Sequence, residues 1–436
     1  MIQRSGDSNR QKPAMQGNQG HESSSPQPSN VPDDRIELGS AVRDGSSEPR
    51  SPHRNWQAAP APLRTSRSRT RPLSSDPRRY LRATGRTLQD AAGRKVRLHG
   101  INVGGWLVTE NWMCGMTDAT ANADRYARET LESRFGSAEA NALMGVWEDH
   151  WFTAADLDAI KSMRFNALRV PFGYRNLQNL DGSWITRADG SVNLSRFDWV
   201  VQEAGARGLY VVFDLHIWQS QRLNYSLISQ NDSTAISAQK QVADIWRLMA
   251  KHFAGNSVVA GFDVANEVTG SPDNFLQRLL YDVIRAEDPN RLLILESVSP
   301  ADVRMKNVMY SIHDYNCTDP DKSVMQAAYQ RELPTLDNML SWNVPLYIGE
   351  FMANGDDNWS WLIRKYNDLG VSWSPWTFKT VNMGGWGLIN LAASNRVNLN
   401  NDSANYIAEV WRQLQSTKTA SASDHQECVK VAAAQP

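Results

Sequence analysis

Two glutamates close apolar runs of similar make-up: Glu267 after Val264-Ala265-Asn266, and Glu350 after Tyr347-Ile348-Gly349. A lone carboxylate in such a place caps a helix or faces water. A pair can divide a reaction, one carboxyl donating a proton while the other, ionised, attacks. Glycosidic bonds demand this division, because their cleavage passes through an oxocarbenium-like state flanked by two carboxyl groups. Other apolar runs also end in polar or aromatic residues: Arg169, Asp214-Leu215-His216, His313-Asp314-Tyr315 and Trp376. Six such ends meeting on one face would be hard to explain as caps. The charge of an ionised Glu350 would keep Glu267 protonated as the acid, and loss of that charge on glycosylation would turn Glu267 into the base.

Positioning these residues requires a frame in which strand ends converge. Short apolar runs at 96–102, 166–172, 210–216, 258–267, 291–297, 308–315, 344–351 and 371–378 predict eight strands. Most are nearly continuous in apolar residues, as parallel strands covered on both faces are. Helical patterns fall between them, including 153–164, 196–207, 235–253, 274–287 and 357–369, with a last one at 403–415. Thr153 reads as an N-cap, with Asp156 three residues on. This alternation predicts an α/β fold, a (β/α)₈ TIM barrel, whose chemistry lies at the C-terminal strand ends. An open doubly wound sheet is the runner-up, but Gly104-Gly105-Trp106 lacks the glycine order of its phosphate turn. The segment 88–96, with Gly93 in its turn, predicts a hairpin closing the barrel bottom. Glu267 and Glu350, on the fourth and seventh strands, would then face each other across the mouth, and a gap of about 5–5.5 Å would imply retention.

Bulk properties bound the remaining choices. The chain has 436 residues, a formal net charge of −1, 16 tryptophans and three cysteines. Near-neutral charge gives no case for nucleic-acid binding. Tryptophan suits either a large core or stacking on the flat face of a sugar. Cys114, Cys317 and Cys428 show no spacing of a disulfide framework or zinc site, although one bridge stays open. No metal ligand pattern appears, and no cofactor is expected. No run of apolar residues reaches membrane-spanning length. Residues 1–78 are rich in Ser, Pro, Gly, Gln and Arg and are expected to be a disordered leader. A folded domain is expected over 79–416, and a frayed tail over 417–436. The leader lacks an apolar signal core, so the six N-x-Ser/Thr triplets, such as that at Asn316, read as chance.

The chain resembles glycoside hydrolase family 5, the cellulase-like family of retaining barrels, from about 96 to 379. The opening Leu98-His99-Gly100-Ile101-Asn102, with Gly104-Gly105-Trp106-Leu107 and Glu110-Asn111-Trp112, is similar to its exo-β-1,3-glucanase branch. Leu168-Arg169-Val170-Pro171, Asp214-Leu215-His216, Asn266-Glu267, His313-x-Tyr315, Ile348-Gly349-Glu350-Phe351 and Trp376-Thr377-Phe378-Lys379 resemble the later motifs. The resemblance implies a β-glycoside hydrolase acting on β-glucan or β-glucoside through a covalent intermediate, with Glu350 as nucleophile and Glu267 as acid/base. It implies that Arg169 and Tyr315 orient Glu350, that Asn266 meets the 2-hydroxyl, and that His216 and His313 line the −1 subsite over a Trp376 platform. Glu110, Trp106, Trp218 and Trp386 complete the expected substrate-binding set. The sequence departs from the pattern at Val268, where many members have Pro, and in the loops at 217–221 and 382–387. The competing readings are a catalytically idle carbohydrate-binding barrel and a glycolipid glycosidase or transglycosylase. The expected partner is an oligo- or polysaccharide, with a monomeric protein delivered outside the cell by a non-classical or type III route suggested by the leader, the alternative being a cytoplasmic protein.

Overall fold

The computed structural model describes residues 80–117, 124–216, 232–268, 273–297, 305–416 and 420–422, all within the compact unit Arg71–Pro436. The leader expected at 1–78, Trp218 and Cys428 lie outside these residues.

A three-stranded antiparallel sheet comes first: β1 (Arg82–Thr84), β2 (Thr87–Gln89) and β3 (Lys95–Val96). Its second turn is shaped by Gly93, whose φ of 78° is a conformation that glycine adopts without steric cost. Eight parallel strands follow: β4 (Gly100–Asn102), β5 (Ala167–Phe172), β6 (Tyr210–Leu215), β7 (Val259–Asp263), β8 (Leu292–Glu296), β9 (Val308–Asp314), β10 (Leu346–Phe351) and β11 (Ser372–Trp373). They pair in chain order. A parallel bridge between His99 and Trp373, with the Trp373 N–H donating to Leu98 O at 2.9 Å, joins the last to the first and closes the barrel. Only Ser372 and Trp373 of the run at 371–378 form ladder, although Ser374 N and Trp376 N still donate to Ile348 O and Phe351 O of β10; Pro375 has no N–H to donate. Its carbonyl instead accepts from Asn102 N at 3.1 Å.

The helices are α1 (Asp124–Trp151), α2 (Ala154–Ser162), α3 (Ser195–Ala206), α4 (Ser233–Phe253), α5 (Asp273–Glu287), α6 (Lys322–Ser341), α7 (Asp356–Leu369) and α8 (Ala404–Arg412). In α4, Asp232 caps the first turn by accepting from Ala235 N at 2.8 Å. Its buried Ala238, Val242, Ile245, Trp246, Met249 and Phe253 recur at helical spacing toward the sheet. At the start of α2, the Asp156 carboxylate accepts from Thr153 N at 2.7 Å. Two helices, α1 and α6, were not among those read from the sequence. The first is interrupted by Gly136 at φ 78°, and the second contains Pro334.

Alternation along each strand sorts side chains between two cores. Leu168, Phe213 and Leu293 face the helices. Ala167, Val212 and Ile294 face the interior, where with Leu88 of β2 they plug the barrel bottom. Continued upward at period two, the inward set arrives at Arg169, Asp214 and Glu296. Strand β10 breaks the rule: Tyr347 is inward and Ile348 outward, so strict alternation would send Glu350 outward. The pairing register with β9 shifts between Ile348 and Glu350, an irregularity of the kind that re-aims side chains. Glu350 thereby enters the barrel mouth.

Candidate active site

Arg169 is the hub of the site. It is fully buried, and its Nη1 donates to Glu350 Oε1 at 2.9 Å. Its Nε donates to Asp263 Oδ2 at 2.9 Å and its Nη2 to Asn266 Oδ1 at 2.8 Å. Nη2 also lies 3.2 Å from both Asp214 Oδ2 and Glu296 Oε1. A guanidinium out of water is tolerable only with such company. Burial pushes the Asp263 carboxyl well above its ordinary range, with Arg169 opposing and the Glu296 and Asp214 charges adding to the rise.

Glu350 accepts twice, from Arg169 and, at 2.6 Å, from the Tyr315 hydroxyl. Burial and the charges of Glu350 and Glu267 hold the Tyr315 phenol well above its usual range, so it remains a donor. The Glu350 side chain is 0% exposed and that of Glu267 25% exposed, which sets the first deep and the second at the mouth. A carboxyl oxygen from each lies within 4.8 Å of the other and of a His313 ring nitrogen. His313 Nδ1 is 3.1 Å from Glu267 Oε1, and its Nε2 is 2.9 Å from Glu296 Oε1. Burial alone would depress this imidazole, but the carboxylates of Glu296 and Glu350, with contacts to Glu267 and Glu296, raise it well above the usual histidine range.

On the other flank His216 Nδ1 meets Asp214 Oδ2 at 2.9 Å, and its ring stacks on Trp376 at 5.4 Å between centroids. Its pKa too is raised, burial being outweighed by Asp214, Glu350 and Glu110. Glu110 Oε1 stands 3.8 Å from His216 Nε2, while its Oε2 accepts from the Trp112 indole at 2.5 Å. Trp112 packs edge-on to Trp386 at 5.1 Å, and Trp386 lies 6.1 Å from Tyr315. The structure thus brings Glu110, Arg169, His216, Asn266, Glu267, His313, Tyr315, Glu350, Trp376 and Trp386 into one neighbourhood. His216 Nε2 and Asn266 Nδ2 are buried there without a protein hydrogen-bond partner, which suits them to substrate hydroxyls.

Trp106 does not join them. It is fully buried, its indole donates to Glu148 O at 2.9 Å, and its ring packs on Phe152 and Trp199. Its expected substrate role is corrected to a core role. The physical reason lies in the two preceding glycines. A Cβ on Gly104 would come within 2.6 Å of Thr377 Oγ1, and one on Gly105 within 2.7 Å of Trp151. The chain slips between these side chains and turns Trp106 toward the helices.

Sequence reasoning passed over Trp112 and Glu296. The first stood in a quoted motif without being assigned a contact. The second ends β8 as Glu350 ends its run, which is the signal that could have found it. Glu267, His313 and Glu350 have a spacing a cation could use. However, both Glu350 oxygens already accept hydrogen bonds, and cationic Arg169 sits beside them.

A closed parallel barrel with two carboxyls at its C-terminal mouth defines the class of barrel glycoside hydrolases. Residues 131–382 match the family model described as Cellulase (glycosyl hydrolase family 5). The chain belongs to glycosyl hydrolase family 5 and is a glycoside hydrolase of the cellulase type. A β-xylosidase of Phanerodontia chrysosporium is 24% identical over 352 residues, 70% of this chain and 72% of that protein. A probable glucan 1,3-β-glucosidase A of Aspergillus niger is 24% identical over 51% of this chain and 56% of its own, so the match spans about half of that relative. Among solved structures, a cellulase–inhibitor complex aligns with a TM-score of 0.49 at 17% identity, over 76% of this chain and 98% of that one. An endocellulase of Pyrococcus horikoshii aligns at 0.47 with 16% identity, over 76% and 98%.

Proposed function

We propose that this chain hydrolyses β-glucosidic bonds with retention, using Glu350 as nucleophile and Glu267 as acid/base. The observation that carries the reading is a carboxyl oxygen of Glu267 within 4.8 Å of one of Glu350, a nearest approach in keeping with the roughly 5–5.5 Å spacing of retaining pairs. Glu350 attacks the anomeric carbon while Glu267 gives its proton to the glycosidic oxygen, and the aglycone leaves as an alcohol. Water then gives a proton to Glu267, attacks the anomeric carbon and frees Glu350. Arg169 and Tyr315 hold Glu350 as a carboxylate aimed at that carbon. Asn266 and His216 meet hydroxyls of the sugar, with Trp376 beneath it and Glu110 beside His216. Trp112 and Trp386 form an aromatic wall on the Tyr315 side. The donors around Glu350 favour catalysis over an idle binding barrel, because holding a sugar needs no such orientation of a carboxylate.

Glucosides are preferred as substrates on the names of the 1,3-β-glucosidase relatives, and the β-xylosidase relative makes a β-xyloside the necessary second arm. The test offers the purified chain nitrophenyl β-glucoside, nitrophenyl β-xyloside, laminarin and barley β-glucan, and follows the first-formed anomer by proton NMR. Glucoside or glucan turnover with the β-anomer appearing first is expected. The α-anomer would overturn retention, and binding without turnover across the panel would favour the idle barrel.

A further inference from the structure

We infer that Glu296, at the C-terminal end of β8, is a positioning residue that locks Glu267 in place and, through His313, keeps the proton on the acid/base side of the site. The inference rests on Glu267 being the acid/base.

Three contacts converge on this carboxylate, whose side chain is 7% exposed. Its Oε2 accepts the backbone N–H of Glu267 at 2.5 Å. Its Oε1 lies 2.9 Å from His313 Nε2 and 3.2 Å from Arg169 Nη2. Glu267 needs such an anchor, because its φ of 49° is a left-handed conformation that a side-chain-bearing residue adopts only when its surroundings insist. The same carboxylate fixes the ring that faces the Glu267 side chain. With Nε2 in an ion-pair contact with Glu296, His313 presents Nδ1 to Glu267 Oε1 at 3.1 Å and to Glu350 Oε2 at 3.6 Å.

The groups around His313 are Glu296 from β8, Glu350 from β10 and Glu267 from the segment after β7. Arg169 of β5 stands behind Glu296 and Glu350, and Tyr315 engages Glu350. A histidine with a carboxylate at each nitrogen is held as imidazolium, in line with its raised pKa. Glu296 therefore supplies a fixed negative charge that raises the proton affinity of the Glu267–His313 pair as a unit. Removing that charge without removing bulk should impair only the step in which the leaving oxygen needs a proton.

The test is Glu296→Gln, compared with wild type on phenyl β-glucoside, a poor leaving group, and on dinitrophenyl β-glucoside, whose departure needs no proton. The expected result is a loss in kcat/KM of about 10²-fold on the phenyl substrate, with the dinitrophenyl value within about threefold. The alkaline limb of the phenyl pH profile should move down by about one unit. Equal losses on both substrates with an unmoved limb would reduce Glu296 to a structural part and overturn the inference, as would unchanged kinetics. Should Glu296→Gln fail to fold, Glu296→Asp, which keeps the charge but shortens its reach to His313, must give the same split at smaller size, and a uniform loss refutes it. A wild type inert on both substrates would sink the glycosidase reading itself. An active wild type whose variant shows no split sinks only the role of Glu296.

Discussion

Arg169 carries the heaviest electrostatic duty of any single residue described here, with Asp214, Asp263, Glu296 and Glu350 all within 3.2 Å of its nitrogens. Replacing it by Met would leave those carboxylates buried without their cation. Breaking a buried ion pair in this way costs about 3–5 kcal/mol, so urea denaturation at neutral pH should show Arg169→Met destabilised by that order. The pH dependence has a definite sign. A carboxyl whose folded pKa is raised contributes stability that is present below its unfolded value and is lost as pH rises through the folded one. Asp263 is such a group even with Arg169 present, and its neighbours should join it in the variant. The deficit should therefore shrink as pH falls from 7 toward 5, and a constant deficit would contradict this account. At this scale the sequence was informative where a polar residue interrupted an apolar run, as at Arg169 and Glu267. For Glu296 it offered only a strand-end position, because its partners Glu267 and His313 lie on other strand ends and only the barrel brings them near. It misled at Trp106, because the side on which that ring falls depends on how tightly Gly104 and Gly105 pack.

Strand β10 shows how an element places a residue that simple alternation would misplace. The register shift beside Gly349 turns Glu350 inward, and Gly349 itself has no room for a side chain. A Cβ there would lie 2.5 Å from Ser311 Oγ and 3.2 Å from His313 Nε2. Gly349→Ala should therefore cost about 1–3 kcal/mol as overpacking. It should also lower kcat more than it raises KM, since the ring it presses is the one facing Glu267. Thermal denaturation together with aryl-glucoside kinetics would check both, and an alanine variant with wild-type stability and kcat would contradict the packing argument. Most strands were legible as continuous apolar runs, because both their faces are buried. The eighth was read too long, since Pro375, Trp376 and Phe378 keep the run largely apolar although its regular pairing ends at Trp373. The long helix α1 escaped because Gly136 divides its pattern, and α6 because Pro334 reads as a stop although the helix runs through it.

For the molecule as a whole, closure is what turns scattered strand ends into a site. Residues separated by 181 positions, Arg169 and Glu350, meet at 2.9 Å only because β11 returns to β4. The lower half of the barrel is filled by side chains and the small antiparallel sheet, so the polar groups gather at the upper end, where burial strengthens every interaction among them. The family and barrel architecture were legible because several motifs occur in order, each at its own strand end. The identity of the sugar was not, because the strand-end motifs specify the catalytic groups and not the contacts that select one pattern of hydroxyls over another. The central claim, that Glu350 forms a covalent bond to the sugar across from Glu267, has a direct test. A glucosyl fluoride bearing fluorine in place of the hydroxyl beside the anomeric carbon should slow turnover enough to trap the intermediate. Peptide mass spectrometry should then find one sugar on Glu350. A label on another residue, or rapid turnover to an inverted product with no labelled peptide, would contradict the account.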